Sequence, residues 1–381
     1  MRILHTSDWH LGRAFHGVGM LEHQASYVDH LLEVVESEAV DLVVVAGDVY
    51  DRGLPPVDAV DLANEAIGRL AASRARVVIT SGNHDSARRL GFAAELIDHA
   101  GVHLRTDATG VGTPVLLEDE HGPVAVYGIP YLDPDTTRRA WELSHRSHHA
   151  ALAAAMERVR TDLAARHARS VVLAHAFVAG GSPSDSERDI SVGGISIVPA
   201  DLFGGIDYTA LGHLHGRQTI GERVRYSGSP LAYSFSEAGH CKGSWLVDLG
   251  ADDVAAEFVE APVPRPLGRI RGELETLLTD PALADVESHW LQVTLTDRTR
   301  PRDAMERLRA RFPHALALQF ETSGTSGAAR RSVRGRSDLE ISADFVTAVR
   351  GAGPEEPERE LLQQAIDSCC HDPDADVRVM A

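Results

Sequence analysis

Seven side chains able to bind divalent cations follow β-strands predicted in the first 215 residues of the chain. Each lies just past the C-terminal end of its strand, and open α/β sheets place their binding sites at that edge. Seven oxygen and nitrogen donors are more than one ion needs, whereas two octahedral ions sharing a carboxylate would use them all. The candidate ligands are Asp8, His10, Asp48, Asn83, His175, His213 and His215.

The types of donor restrict the choice of metal. Carboxylate, amide oxygen and imidazole are present without thiolate, which favours Mn²⁺ or Fe²⁺ over structural zinc, with Mg²⁺ a further option. Asp48 is the best bridging ligand, because a carboxylate can give one oxygen to each ion. A water shared by two such ions has a lowered pKa, so hydrolysis would need no protein base. The pattern predicts a hydrolase with two divalent cations, two Mn²⁺ or alternatively Fe²⁺ or Mg²⁺.

The five motifs that carry these ligands differ in specificity. D-x-H at Asp8 and G-D-x-x-D at Asp48 are common by chance. GNHD at Asn83 and GHLHG at His213 each follow an apolar strand, and both are stronger signals. The occurrence of all five motifs in this order is very improbable by chance.

Strands and helices alternate along the first part of the chain. LVVVAG and RVVITSG are continuous apolar runs that end in glycine, as expected of inner strands buried on both faces. Later strands follow one another without long helices, so we expect more antiparallel pairing there. The pattern predicts an α/β fold of two stacked mixed β-sheets flanked by helices. The predicted helices are Leu21–Val40 and Val57–Ala72, and the predicted strands include Arg2–Thr6, Leu42–Ala46, Val77–Thr80, Val124–Ile129, Val171–Ala174 and Tyr208–Leu211.

Changes in composition divide the chain into five segments. APVPRP ends a first domain at residues 1–262, and strand and helix periodicity predicts a small α+β domain at 263–321. Residues 322–337 are rich in Gly, Ser and Arg and predict a flexible linker. Two short amphipathic helices in 338–371 are too small to fold alone and should dock on another surface, and a tail follows at 372–381.

The composition is that of a globular protein with a strong negative charge. The net charge of −19 would repel a polyanion at long range, so a nucleic-acid substrate would require bound cations or a basic partner. Three cysteines form no disulfide or zinc pattern. The N-terminus has no signal-peptide pattern and no apolar run is long enough to span a membrane, so we expect a cytoplasmic protein without a membrane partner.

The ordered set D-x-H, G-D-x-x-D, G-N-H-D, H and G-H-x-H resembles the calcineurin-like phosphoesterase superfamily. Longer phrases narrow the resemblance to the SbcD family, the nuclease subunits of bacterial SbcCD complexes. It is close over about residues 1 to 260. Those phrases are MRILHTSDWHLGR, LVVVAGDVYDRGLPP, VVITSGNHDSARRL and RYSGSPLAYSFSE.

The resemblance implies a role for each motif residue. One ion would be held by Asp8, His10, Asp48 and His215, and the other by Asp48, Asn83, His175 and His213. His84 would face the scissile phosphate and protonate the leaving oxygen or stabilise its charge. Asp85 is expected to fix a histidine tautomer. Asp51 is either a phosphate-side or supporting residue or a plain turn aspartate.

The resemblance also implies a function and partners. The chain would be a Mn²⁺-dependent DNA nuclease, a 3′–5′ double-strand exonuclease and a single-strand or hairpin endonuclease. It would work in DNA end processing, repair and recombination, with an SbcC-type coiled-coil ATPase bound to residues 338–371. A homodimer through the nuclease domain is expected, with Leu21–Val40 as a candidate contact.

Two other functions remain as alternatives. The same ligands could serve a phosphoesterase acting on a small nucleotide or a phosphoprotein, although such an enzyme needs neither the α+β domain nor the C-terminal helices. A non-catalytic scaffold is disfavoured because no ligand position is lost. The loop Gly180–Asp189 is either on the substrate side or a surface excursion. The linker arginines and the histidines His145, His148 and His149 are expected to be solvated.

Overall fold

A computed structural model of the chain describes residues 1–191, 197–321 and 336–369. It contains two compact units, which divide after Gly268. Within the described residues, no helix has both the length and the apolar character needed to cross a membrane. The predicted linker at 322–337 lies mostly outside the described residues, as does the predicted tail at 372–381.

The strands and helices are numbered in chain order. The strands are β1 Arg2–Thr6, β2 Ala14–Phe15, β3 Val18–Gly19, β4 Leu42–Ala46, β5 Arg76–Thr80, β6 Val102–Arg105, β7 Val115–Asp119, β8 Gly122–Gly128, β9 Arg169–His175, β10 Phe177–Val178, β11 Ile197–Val198, β12 Tyr208–Gly212, β13 Gln218–Ile220, β14 Val224–Tyr226, β15 Gly243–Leu249, β16 Val254–Glu260, β17 Leu267–Gly272, β18 Trp290–Leu295 and β19 Ala315–Phe320. The helices are α1 Leu21–Ser37, α2 Val57–Ala72, α3 Ala87–Leu90, α4 Ala94–Asp98, α5 Pro134–Ala140, α6 His148–Leu163, α7 Leu274–Thr279, α8 Ala304–Arg311, α9 Asp338–Arg350 and α10 Glu356–Cys369.

The first unit contains two six-stranded sheets. One has the order β16-β15-β1-β4-β5-β6, and the other has the order β13-β14-β12-β9-β8-β7. In the first sheet β1, β4, β5 and β6 run parallel, while β15 pairs antiparallel with both β1 and β16. In the second, β14, β12, β9 and β8 run parallel, and only the outer strands β13 and β7 pair antiparallel. The antiparallel pairing expected later in the chain is therefore limited to the pairs of β15 and of β13, whereas β9, β12 and β14 are parallel.

An apolar layer joins the two sheets. Ile3, Val44 and Val78 of the first sheet belong to one buried cluster with Val126 and Leu173 of the second, and all five are fully buried. The opposite face of the first sheet packs against α1 and α2, and that of the second against α6. Inner strands are thus covered on both faces, which explains their continuous apolar sequences. The predicted fold class, two stacked mixed sheets flanked by helices, is confirmed.

Helix α1 is shorter than predicted. It ends at Ser37, three residues before Val40, which is buried beneath it. Ala39 has a left-handed φ of 50°, so the chain reverses there to enter β4. The apolar residue at 40 therefore belongs to the turn, although it continues the helical pattern.

The second unit contains a small α+β core. Its sheet has the order β17-β18-β19, with β18 and β19 parallel and connected through α8. The core includes Leu274 and Leu277 of α7, Val293 of β18, and Leu308 and Phe312 at the end of α8. Strand β17 is an element that the sequence pattern did not predict.

The C-terminal helices α9 and α10 form a hairpin. Ser337 and Glu340 make a capping box that starts α9, and Gly351 ends it in the left-handed conformation. Arg350 then donates two hydrogen bonds, of 2.6 and 2.7 Å, to the carboxylate of Glu358. Because only Ala343 of α9 is buried, this hairpin leaves apolar side chains on its surface.

Candidate metal centre

All seven predicted ligands meet at one edge of the sandwich. Asp8 and His10 follow β1, Asp48 follows β4, and Asn83 follows β5 in the first sheet. His175 ends β9, while His213 and His215 follow β12 in the second. The parallel strands of both sheets end at this edge, so residues far apart in sequence lie side by side.

The ligands predicted for the second ion surround the amide of Asn83. Its Oδ1 lies 2.9 Å from Nε2 of His175 and 3.2 Å from Nδ1 of His213. Asp48 Oδ2 lies 3.4 Å from the same Nε2 of His175. Nδ1 of His175 bonds to the carbonyl oxygen of Ala46 at 2.9 Å, so it carries the ring hydrogen and Nε2 faces the cluster.

The ligands predicted for the first ion lie on the other side of Asp48. Nε2 of His10 is 3.0 Å from Nε2 of His215, and it is 3.6 Å from Oδ2 of Asp48. Asp8, His10 and His215 can bring one ligand atom each within 4.8 Å of one another, and Asp8, Asp48 and His175 can do the same. A single oxygen of Asp48 is thus close to both predicted sets.

The charges and burial at this edge fit a pair of divalent cations. Asp8 and Asp48 are both fully buried carboxylates, and such groups are stable only when positive charge accompanies them. Burial raises the pKa of Asp8 to about 6. Burial also holds the pKa values of His10 and His213 well below the usual value, so these rings are neutral and able to bind a metal. Cations bound between the rings would balance the charge of the buried carboxylates and would be coordinated by the neutral imidazoles.

Four of the predicted ligands adopt left-handed backbone conformations. The φ angles are 54° at Asp8, 47° at His10, 51° at Asp48 and 102° at His213. Such angles are unfavourable for residues with a side chain and cluster at functional sites. Bonds between the loops hold them: both oxygens of Asp8 accept from the backbone N–H of His213, at 3.0 and 3.2 Å. The carboxylate of Asp8 therefore holds the loop after β12 in place in addition to supplying negative charge.

Two glycines allow the strand ends to approach one another. A Cβ atom on Gly82 would lie 2.1 Å from Oδ1 of Asp48, and one on Gly212 would lie 1.9 Å from the carbonyl oxygen of Ala46. No side chain could be accommodated at these distances. The glycines that precede Asn83 and His213 in the motifs are thus required by packing.

His84 lies at the partly open side of the cluster. Its Nδ1 bonds to the carbonyl oxygen of Asp51 at 2.7 Å, and its ring packs edge-on against His10 with centroids 4.7 Å apart. Nε2 of His84 has no hydrogen bond to any described residue. Because a carbonyl oxygen only accepts, Nδ1 carries the hydrogen and Nε2 is the nitrogen available to a ligand or substrate.

The two remaining predicted residues have different surroundings. The carboxylate of Asp51 is 3.8 Å from Nδ1 of His10 and 3.7 Å from Nε of Arg13, so it belongs to the centre. Asp85 was expected to orient a histidine, and this is wrong. Its carboxylate accepts backbone N–H bonds from Val49, Tyr50 and Gly82, at 2.9–3.1 Å, because the loops after β4 and β5 leave these groups without other partners. Asp85 thus ties the two loops together.

The loop Gly180–Asp189 contributes residues that the sequence did not single out. Oγ of Ser186 is 2.5 Å from Nδ1 of His215, and Glu187 accepts the backbone N–H of His215 at 2.7 Å. The loop therefore lies against the site. His148, expected to be solvated, is buried and donates to the carbonyl oxygen of Ile190 at 2.7 Å, beside the same loop. The run of polar residues gave no signal for these contacts.

The first prediction concerns metal-dependent stability. Because cations would bind the folded state alone, Mn²⁺ at about 100 times the dissociation constant should stabilise it by roughly 2.7 kcal/mol per site. We expect the shift in Tm to be largely lost in Asp48→Asn, which removes the shared charge without changing size. Asp61→Asn, on the exposed side of α2, is the control. Differential scanning calorimetry with and without EDTA measures the shift; an unchanged shift in Asp48→Asn would contradict the assignment.

Two family models match the chain. One, described as calcineurin-like phosphoesterase, matches residues 1–217. The other, SbcD_C, described as type 5 capsule protein repressor C-terminal domain, matches residues 263–350. The first covers more than half of the chain and includes all seven candidate ligands.

Among solved structures, the chain is similar to TT1561 of Thermus thermophilus at 13% identity, with a TM-score of 0.41 over 68% of this chain and 98% of that chain. It is also similar to the calcineurin-like phosphoesterase YfkN of Bacillus subtilis at 14% identity, with a TM-score of 0.34 over 68% of this chain and 89% of that chain. The two family models in this order support an SbcD-type nuclease subunit. The chain belongs to the calcineurin-like phosphoesterase family, whose members hydrolyse phosphodiesters or other phosphate esters.

Proposed function

We propose that the protein is a Mn²⁺-dependent DNA nuclease that works in the cytoplasm with an SbcC-type ATPase in DNA end processing, repair and recombination. Its expected activities are 3′–5′ exonuclease on double strands and endonuclease on single strands and hairpins. The observation that carries the proposal is the position of Asp48 Oδ2, which lies 3.6 Å from Nε2 of His10 in one predicted ligand set and 3.4 Å from Nε2 of His175 in the other. His84 lies beside both sets on the accessible side.

The residues of the chain have distinct tasks in this mechanism. Asp8, His10, Asp48 and His215 would hold one cation, and Asp48, Asn83, His175 and His213 the other. When bound, such a pair lowers the pKa of a shared water and neutralises charge on a phosphate. His84 is oriented through the carbonyl oxygen of Asp51, which accepts from Nδ1. When the ring also carries a proton on Nε2, as an imidazolium beside the phosphate, that N–H can donate to the leaving oxygen or stabilise the charge on the phosphate.

Exposed arginines support a polyanionic substrate despite the overall negative charge. Residues 269–321 carry eight arginines and nine acidic residues, so this segment is nearly neutral in a chain of net charge −19. Arg298 and Arg302, in the loop before α8, are exposed and make no ion pair with a described residue. Near the metal centre, Arg188 lies beside Asn83, with Nη1 3.4 Å from its carbonyl oxygen. Arg298 and Arg302 are free to contact phosphates, and Arg188 has further N–H donors besides the one that faces Asn83.

The second prediction tests the role of His84. His84→Ala should lower Mn²⁺-dependent cleavage of linear DNA by about 10²- to 10⁴-fold, the usual contribution of a general acid. Bound Mn²⁺ should remain as in the wild type, because His84 is not assigned as a ligand. Gel assays of end-labelled DNA measure cleavage, and metal analysis after dialysis measures content. His121→Ala, an exposed histidine, is the control.

Two results would overturn this assignment. If His84→Ala loses metal as well as activity, His84 is a ligand rather than a residue facing the phosphate. If the wild type cleaves a small phosphodiester efficiently but never DNA, alone or with the ATPase, the enzyme is a small-molecule phosphodiesterase.

The third prediction concerns the hairpin of α9 and α10, which we propose as the ATPase-binding segment. Phe345 and Leu361 are 68% and 65% exposed, and apolar side chains of this size on a hairpin are typical of helices that dock in a groove. Phe345→Ser with Leu361→Ser should abolish complex formation and ATP-dependent cleavage, and should spare cleavage of short single strands by the chain alone. Leu116→Ser, an exposed leucine on β7, is the control. A complex retained on gel filtration would refute the proposal.

The fourth prediction concerns the homodimer, which we propose forms through the region of α2–α4. Helix α1 buries its apolar face within its own unit, so the contact expected there from the sequence is not supported. Leu54, Val57, Phe92 and Leu96 are instead 70–80% exposed. Arg89 bonds to the carbonyl oxygen of Gly53 at 2.7 Å, which brings the two segments together.

Such an exposed apolar patch is typical of an interface. Leu54→Glu with Phe92→Glu should convert a dimer to a monomer in sedimentation equilibrium, and Leu116→Glu should not. A wild-type chain that is monomeric at all concentrations would refute the dimer.

A further inference from the structure

A buried chain of hydrogen bonds joins the predicted ligand His215 to a carboxylate outside the ligand set. Nδ1 of His215 lies 2.5 Å from Oγ of Ser186, and the same Oγ lies 2.5 Å from Oε1 of Glu237. Ser186, His215 and Glu237 are all buried, with Glu237 1% exposed. The three residues come from a loop, a strand end and a short turn that are remote in sequence.

The direction of the hydrogens follows from the chemistry of the three groups. A carboxylate only accepts, so the single hydroxyl hydrogen of Ser186 points to Glu237. A neutral hydroxyl, that of Ser184 at 3.0 Å, is a weaker acceptor for it. Oγ of Ser186 must then accept from His215, and Nδ1 of His215 carries the ring hydrogen. Nε2 of His215 is left with its lone pair, 3.0 Å from Nε2 of His10.

The carboxylate end of the chain is fixed by Lys242. This buried lysine donates to Oε2 of Glu237, to the carbonyl oxygen of His215 at 2.8 Å, and to Oγ of Ser229 at 2.9 Å. All three ammonium hydrogens therefore have acceptors, and the buried charge of Glu237 has a partner. Any rotation of the Glu237 carboxylate or the Lys242 ammonium would therefore leave a buried polar atom without a partner.

The loop end of the chain is fixed as well. The carbonyl oxygen of Ser186 accepts from Nη2 of Arg13 at 2.7 Å. The next residue, Glu187, accepts the backbone N–H of His215 at 2.7 Å. His215 is thus held at its ring, its N–H and its carbonyl oxygen, by the loop on one side and by Lys242 on the other.

We propose that Ser186 is the positioning residue of His215, transmitting the charge of Glu237 through its hydroxyl and holding the ring with Nε2 directed at the first cation. The inference rests on the proposed assignment of His215 as a metal ligand. His175, in the other set, is oriented differently, by the backbone carbonyl of Ala46. A change at Ser186 should therefore weaken one of the two cation sites and leave the other intact.

The full-length variant Ser186→Ala tests the proposal. Calorimetric titration with Mn²⁺ should show one site weakened by about 10- to 100-fold, the usual effect of removing a partner of a ligating histidine, and the other unchanged. Ser186→Thr, which keeps the hydroxyl, should recover most of the loss. Ser191→Ala is the matched control: this exposed serine follows the same loop and, among the described residues, bonds only to Asp189.

A second measurement needs no metal. In the metal-free protein labelled with ¹⁵N-histidine, the wild type should show His215 protonated at Nδ1, and Ser186→Ala should shift the ring towards a mixture of tautomers. Unchanged Mn²⁺ affinities and an unchanged tautomer in Ser186→Ala would overturn the inference. Failure of the wild type to bind two Mn²⁺ ions would instead overturn the proposed function, because the tautomer measurement tests the serine separately.

Discussion

The buried carboxylate of Asp48 is the constraint on which the centre depends. Oδ1 accepts the backbone N–H of His84 at 2.8 Å, while Oδ2 faces His10 and His175. An unpaired carboxylate in this position would carry a desolvation penalty of several kcal/mol. The neighbouring Asp8 is buried as well, so negative charge accumulates at the edge where both sheets end. The fold therefore favours positive charge at this edge, which two bound cations would supply.

The two packed sheets stabilise the strained backbone conformations of the metal-centre loops. Left-handed conformations at Asp8, His10, Asp48 and His213 cost of order 1–3 kcal/mol each. They occur directly after β1, β4 and β12, whose side chains are buried on both faces. Rigid strands on either side leave the connecting residues no freedom to relax, and the backbone bonds between neighbouring loops fix the result. The precision of the centre comes from the strands.

Sequence patterns identified the parts of the molecule in which local and global preferences agree. The runs at Leu42–Ala46 and Val57–Ala72 were located to the residue, because burial on both faces or on one helical stripe leaves a strong periodicity. The strands Val102–Arg105 and Val115–Asp119 were not predicted, since sheet-edge strands are short and partly polar. The expected role of Asp85 was wrong for a related reason. Because Asp85 bonds to backbone N–H groups, which every residue except proline has, the side chains around it in the sequence do not reveal its partners.

The two ligand sets also differ in what orients their histidines. His175 lies at the end of a strand and is oriented by a backbone carbonyl of the neighbouring sheet. His215 depends on Ser186, a side chain from a loop, and on the buried pair of Glu237 and Lys242. Strands hold a site more firmly than loops do, so the second set has the more rigid support. The same loop carries Arg188, which lies beside Asn83, so its position bears on both sets of ligands. The loop thus contacts the ring of His215 in the first set and the carbonyl oxygen of Asn83 in the second, and it physically links the two sets.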